Sequence, residues 1–223
     1  MRYRPGILAA SPPPLTQRTL AFAVRELAAR DPDLAGIVER FGPPPLWDRP
    51  AGFGTLVYIV LEQQVSLASA KAAFDRLRAA AEPLSPERFL ELGDDQLLAI
   101  GFSRQKARYV RNLARAVRSG AIDLEALVSL SDDEAQRALV ALTGIGQWTA
   151  SIYLMEALLR PDVWPVNDMA LVAAVTQVKC LERRPSAAGM EALAEPWRPW
   201  RSVAARLFWH DYLSRRGRSG PPG

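Results

Sequence analysis

Apolar residues recur along this chain at three- and four-residue intervals, and runs of alternating β-branched residues are few. That period predicts an all-α fold. Helices are predicted from Leu15 to Arg30 and, after an Asp31-Pro32 restart, on to about Phe41. Gly42-Pro43-Pro44-Pro45 forms a stiff connector. The apolar stretch Phe53 to Leu61 runs into Glu62-Gln63-Gln64-Val65-Ser66, and a helix follows from Leu67 to about Ala81. Ser85-Pro86 opens the next helix, with proline at its favoured first position. Gly93 and Gly101 punctuate short helices. Further helices are predicted over 168–179, 186–194 and 199–214. Residues 1–14 read as a loose arm and 215–223 as a disordered basic tail. There is no internal repeat.

The segment before residue 160 carries sharper local signals. Ser131-Asp132-Asp133-Glu134 fits a helix start, with the serine as N-cap and the glutamate as its reciprocal partner. Ala135, Leu139 and Leu142 follow at helical spacing. Gly144 and Gly146 end that helix, and Thr149 to Leu159 resumes an apolar helical pattern. A Gly-x-Gly turn at a helix start leaves free amides beside the positive end of the helix dipole, an arrangement suited to a phosphate. The same turn also fits an ordinary helix-helix connection.

Charge adds a direction. The chain of 223 residues has a formal charge of +4. Its length allows one large domain or two small ones. Between Ser103 and Ser119 lie Arg104, Lys106, Arg108, Arg111, Arg115 and Arg118 without an acid, above Ala107, Val110, Ala114 and Val117. This one-signed amphipathic face suits either DNA contact or simple solvation. The lone Cys180 excludes an internal disulfide and any four-cysteine iron–sulfur or zinc site, and the lone His210 argues against a classical zinc centre. No apolar run approaches a membrane span, and a reducing, cytosolic setting fits. Asp168 follows the hairpin in Trp164-Pro165-Val166-Asn167-Asp168; it suits an N-cap before Met169-Ala170-Leu171 or a carboxylate that does chemistry.

Leu142-x-Gly144-Ile145-Gly146-x-Trp148-Thr149-Ala150, with Asp168 twenty positions after the tryptophan, resembles the helix-hairpin-helix (HhH-GPD) base-excision DNA glycosylases. Gln63-Gln64-Val65-Ser66, Gly101-Phe102 through Lys106-Ala107, and Trp197-Arg198-Pro199-Trp200-Arg201-Ser202 narrow the resemblance to the 3-methyladenine DNA glycosylase II branch. The motifs run in family order from about residue 53 to 210. The chain resembles the compact form, without an added N-terminal β-rich domain.

The resemblance implies two helical lobes around a DNA-facing cleft: 52–168, holding the helix-hairpin-helix at about 132–159, and 1–51 packed with 169–214. It implies Asp168 as the catalytic carboxylate; Trp148, Trp209 and Ile152 around the base pocket; and Gln64 as the plug that fills the gap left by a flipped base. Gly144, Ile145, Gly146 and Thr149, with Lys106 and Arg104, would grip the DNA backbone. Carbonyls of Val140, Leu142 and Ile145 would hold a monovalent cation; no other cofactor, and no iron–sulfur cluster, is implied. Ile152 stands where some members carry tyrosine, and Asn167 where some carry an acid. Trp197 and Trp200 fit core support. Trp148 occupies the position where bifunctional relatives place a lysine, so the resemblance implies excision without lyase chemistry, leaving an abasic site. The implied partner is duplex DNA containing alkylated bases, met by a monomer in the cytoplasm, nucleoid-associated in a bacterium. Deaminated or oxidised bases as substrates, and non-catalytic binding of damaged DNA, are the alternatives.

Overall fold

A computed structural model describes residues 13–217, in which every regular element is helical. The chain therefore has the all-α fold that its periodicity predicts. The expected arm over 1–14 and tail over 215–223 fall mostly outside the described residues.

Capping side chains mark most helix starts. Thr16 caps α1 (Gln17–Arg30), and Asp31 caps α2 (Pro32–Phe41) by accepting from the amides of Asp33 and Leu34. The apolar run forms α3 (Phe53–Glu62), and Ser66 caps α4 (Leu67–Ala80). Two short helices follow, α5 (Pro86–Glu91) and α6 (Asp94–Ile100), and then the basic helix α7 (Arg104–Arg118). Ser131 and Glu134 make the expected capping box at the start of α8 (Asp132–Val140). The hairpin leads into α9 (Gln147–Glu156), and the chain finishes with α10 (Met169–Val178), α11 (Ala187–Ala194) and α12 (Arg201–Ser214).

Helix α9 stops at Glu156, three residues before the Leu159 expected from the pattern. Leu159 takes φ +54, and its carbonyl accepts from the Leu15 amide at 2.7 Å. The next residue, Arg160, is buried and donates to the carbonyls of Leu127, Val128 and Leu130. These tertiary contacts override the apolar period.

Helix α12 packs on α1, α2 and α10, while α3 packs on α4, α7 and α9, and α8 packs on α9. Most of α12 is buried, including Arg206, whose guanidinium donates to the carbonyls of Leu46, Ser202 and Met155. A buried guanidinium is tolerated only with its donors satisfied, and here it ties three segments together. Trp197 is buried against Phe208 and Trp164, and its indole donates to Asp31 at 2.8 Å.

Candidate active site

Asp168 is the N-cap of α10, and its side chain does more than cap. One carboxylate oxygen, Oδ1, accepts from the Leu171 amide at 2.6 Å and from the Trp209 indole at 3.1 Å. The other, Oδ2, accepts from the Trp148 indole at 2.8 Å. The two indoles reach it from α12 and α9. The residue is only 3% exposed. Burial pushes its carboxyl above the ordinary aspartate value, against the pull of the Trp148, Leu171 and Trp209 donors. A carboxylate so enclosed is rigid, poorly hydrated and ready to meet developing positive charge.

Asp168 opens onto a cleft of about 610 Å³ that Glu62, Gln64, Val65, Trp148 and Met169 also line. Trp209 and Ile152, expected to line the base pocket, do not line this cleft; each is 1% exposed. Trp209 sits on the buried face of α12 and serves the cleft from beneath, by holding Asp168. Ile152 packs within the core from the middle of α9. Met169, 66% exposed beside Asp168, is a cleft residue that the motifs did not single out.

A second groove, about 750 Å³, runs along the hairpin between Gly144–Gly146 and the start of α7. Gly144 has φ +96, and a Cβ there would overlap the Tyr109 ring, so both backbone and neighbour require glycine. The Gly146, Trp148 and Thr149 amides have no hydrogen-bond acceptor among the described residues, as befits the open end of α9. Ile145 differs from the expected backbone contact: its amide donates to the Leu142 carbonyl at 3.0 Å, and its side chain is buried. Thr149 is also buried, its hydroxyl accepting from Gln63 at 3.0 Å.

The basic helix divides its charges. Arg104, Arg108, Arg115 and Arg118 are exposed. Arg111 is engaged with Asp94 and the Leu92 carbonyl. Lys106, expected to contact DNA, lines the hairpin groove but is half-buried and donates its ammonium to the Leu61 carbonyl at 2.7 Å. Burial lowers its pKa. The carbonyl end of α3 carries partial negative charge, which explains the attraction.

Beneath the cleft lies an ion network that no motif indicated. Arg49 donates from both terminal nitrogens to Glu62, at 3.0 and 2.8 Å, and its Nε lies 2.7 Å from Glu156. Both glutamates are almost fully buried. Burial pushes the Glu156 carboxyl up to about 7, with help from the charges of Glu62 and Asp168 and opposition from Arg49 and Arg206. Burial likewise raises Glu62, against the Arg49 hydrogen bonds. The available signal was an isolated acid closing each of two apolar helices, α3 and α9.

Among the described residues, no group of three His, Cys, Asp or Glu side chains could hold a metal ion, and no helix is long and apolar enough to cross a membrane.

The chain is similar to several known proteins. The DNA-3-methyladenine glycosylase of Bacillus subtilis is 28% identical over 198 residues, which span 82% of this chain and 65% of that protein. A second Bacillus subtilis protein, a putative DNA-3-methyladenine glycosylase, is also 28% identical, over 79% of this chain and 64% of its own length. This chain thus spans just under two thirds of both relatives. The solved structure of Schizosaccharomyces pombe 3-methyladenine DNA glycosylase (Mag1) in complex with abasic DNA matches with a TM-score of 0.78 and 26% identity, covering 84% of this chain and 95% of that one. The crystal structure of a DNA-3-methyladenine glycosidase from Bacillus halodurans matches at 0.73 and 28% identity, over 87% and 91% of the two chains. The model of the HhH-GPD superfamily base excision DNA repair proteins matches residues 57–199. The chain, with its glycine hairpin and its buried, indole-held Asp168, belongs to this superfamily.

Proposed function

We propose that the chain is a monofunctional DNA glycosylase that flips alkylated purines, of the 3-methyladenine and 7-methylguanine type, out of duplex DNA and excises them. The observation that carries this reading is the Asp168 carboxylate, buried under a cleft beside a phosphate-suited hairpin and held by two indole N–H groups.

An enzyme acting on a base must first take it out of the stack. The free amides of Gly146 and Trp148 and the exposed Arg104 would grip backbone phosphates. Gln64 would occupy the gap, and the cleft would receive the nucleotide. As the glycosidic bond breaks, its electron pair leaves with the base, and the sugar becomes oxocarbenium-like. Asp168 would offset that charge. Water then adds to the sugar carbon and loses a proton, which leaves an abasic site. A cationic purine departs as a neutral molecule, so its release needs little acid assistance. The Trp148 ring, partly exposed at the cleft wall, suits a cationic ring by its π face.

Asp168 supplies the chemistry without a cofactor. A monovalent cation would be held at the hairpin by the carbonyls of Val140, Leu142 and Ile145, residues that line its groove; the Leu142 carbonyl accepts the Ile145 amide and keeps a second lone pair. The chain would act as a monomer in the cytoplasm, nucleoid-associated if its source is a bacterium. Helices α3–α9 would form the lobe over 52–168, and α1, α2 and α10–α12 the other.

The test is a panel of duplexes, each with one lesion, incubated with and without alkali. Strands should break at an alkylated purine only after alkali, and borohydride should trap no covalent adduct. A trapped adduct would show that an amine attacks the sugar. Cleavage confined to deaminated or oxidised bases would move the substrate class.

A further inference from the structure

Gln64 stands on a ridge: it lines both the Asp168 cleft and the hairpin groove. Its φ is +57, a conformation that a residue with a Cβ adopts at a cost. Relaxing that torsion would swing the side chain off the ridge, so something must hold it. The three residues before it are each tied to a different element. The Leu61 carbonyl accepts from Lys106 of α7. The Glu62 carboxylate is gripped at both oxygens by Arg49, in the segment before α3. The Gln63 amide donates to the Gly144 carbonyl at 3.1 Å and to the Thr149 hydroxyl at 3.0 Å, on the hairpin and α9. Immediately beyond, Ser66 fixes the start of α4 by accepting from the Ser69 amide at 3.2 Å. Only Gln64 and Val65 lie between these anchors, and both are exposed.

We propose that Gln63, Lys106 and the Arg49–Glu62 pair are positioning residues, which hold Gln64 projecting from the ridge before DNA arrives. This rests on the reading of Gln64 as the group that fills the gap left by the flipped nucleotide. A preset side chain binds a gap without first paying the ordering entropy of a mobile loop. The anchors also couple the ridge to the hairpin: Gln63 bonds the carbonyl of Gly144, two residues before Gly146, whose free amide would meet a phosphate. The hairpin grip and the gap-filling side chain therefore sit in a fixed relation.

A double-mutant cycle tests this on the full chain, by affinity for a duplex carrying a tetrahydrofuran abasic analogue and for the intact duplex of the same sequence. Gln63→Met keeps length and charge but removes the donor. It should weaken binding to the gapped duplex by roughly five- to tenfold, the scale of one or two lost hydrogen bonds, and binding to the intact duplex by less than about twofold. In a Gln64→Ala background, Gln63→Met should cost nothing further on the gapped duplex. Equal losses on both duplexes, or a full additional loss in that background, would overturn the positioning role alone. Wild-type binding of the gapped duplex by Gln64→Ala would overturn the gap-filling reading, and the positioning role with it. Thermal melting checks that each variant folds. Should Gln63→Met unfold, Lys106→Met takes its place in the same cycle, with the intact duplex reporting the lost charge.

Discussion

Replacing Asp168 with asparagine separates its two jobs. The amide keeps one oxygen, which can still accept from the Leu171 amide and the Trp209 indole, as Oδ1 does now. Its nitrogen then faces the Trp148 indole, which presently donates to Oδ2 at 2.8 Å. Two donors cannot bond, so one is left unpaired in a nearly dry site, a loss of about 1–3 kcal/mol. Against this, burial holds the carboxylate pKa high, which means that the charge itself opposes folding. Removing the charge offsets part of the lost bond. The net change should be about 2 kcal/mol or less, or a melting shift of a few degrees for a chain of this size. Catalysis should respond on a different scale. Loss of one positioned charge should slow excision by roughly a hundredfold or more. Single-turnover excision of an accepted lesion, preferably a neutral one such as hypoxanthine, measures this beside thermal melting. Wild-type excision should also fall on acidification, beginning above the ordinary aspartate range, as the raised carboxyl takes up its proton; the variant should lack that limb. A folded variant with near wild-type rates on every accepted lesion would refute a catalytic role for the carboxylate.

Two further outcomes follow from the geometry. Gly144→Ala puts a Cβ into the Tyr109 ring and keeps φ at +96, so the fold should lose about 3 kcal/mol or more, with DNA binding lost in parallel; adding Tyr109→Ala should restore part of the stability, and a neutral Gly144→Ala in denaturant titrations would refute the packing. Glu156 binds its proton more tightly folded than unfolded, so its contribution is most favourable below about pH 4.5 and is lost as pH rises through about 7; Glu156→Gln should therefore gain up to about 3 kcal/mol relative to wild type between pH 4.5 and 8, and a pH-independent difference between their stabilities would contradict this.

Helix identity was legible from local chemistry. Serine, threonine and aspartate caps mark most helix starts, and the period of the apolar residues marks the buried faces. Asp168 was legible as a site residue because its spacing from the hairpin is a motif. Its donors were less so: Trp209 lies 41 positions away in sequence, and its burial beneath the carboxylate follows from how α12 crosses α10. Lys106 reads from sequence as one more cation on a basic face, yet it points at the end of α3. The Arg49–Glu62–Glu156 network joins a loop to the ends of two helices, and only tertiary packing brings those together. Periodicity reports which face is buried; it does not report which buried polar groups meet.

The most direct measurement is the release of free base from methylated duplex DNA. Incubated with the purified chain, such DNA should yield 3-methyladenine and 7-methylguanine in the soluble fraction, resolved by chromatography, and should retain intact strands until alkali is added. Release no faster than in the protein-free control, from a chain that is folded and binds the DNA, would contradict the assignment of this cleft to base excision.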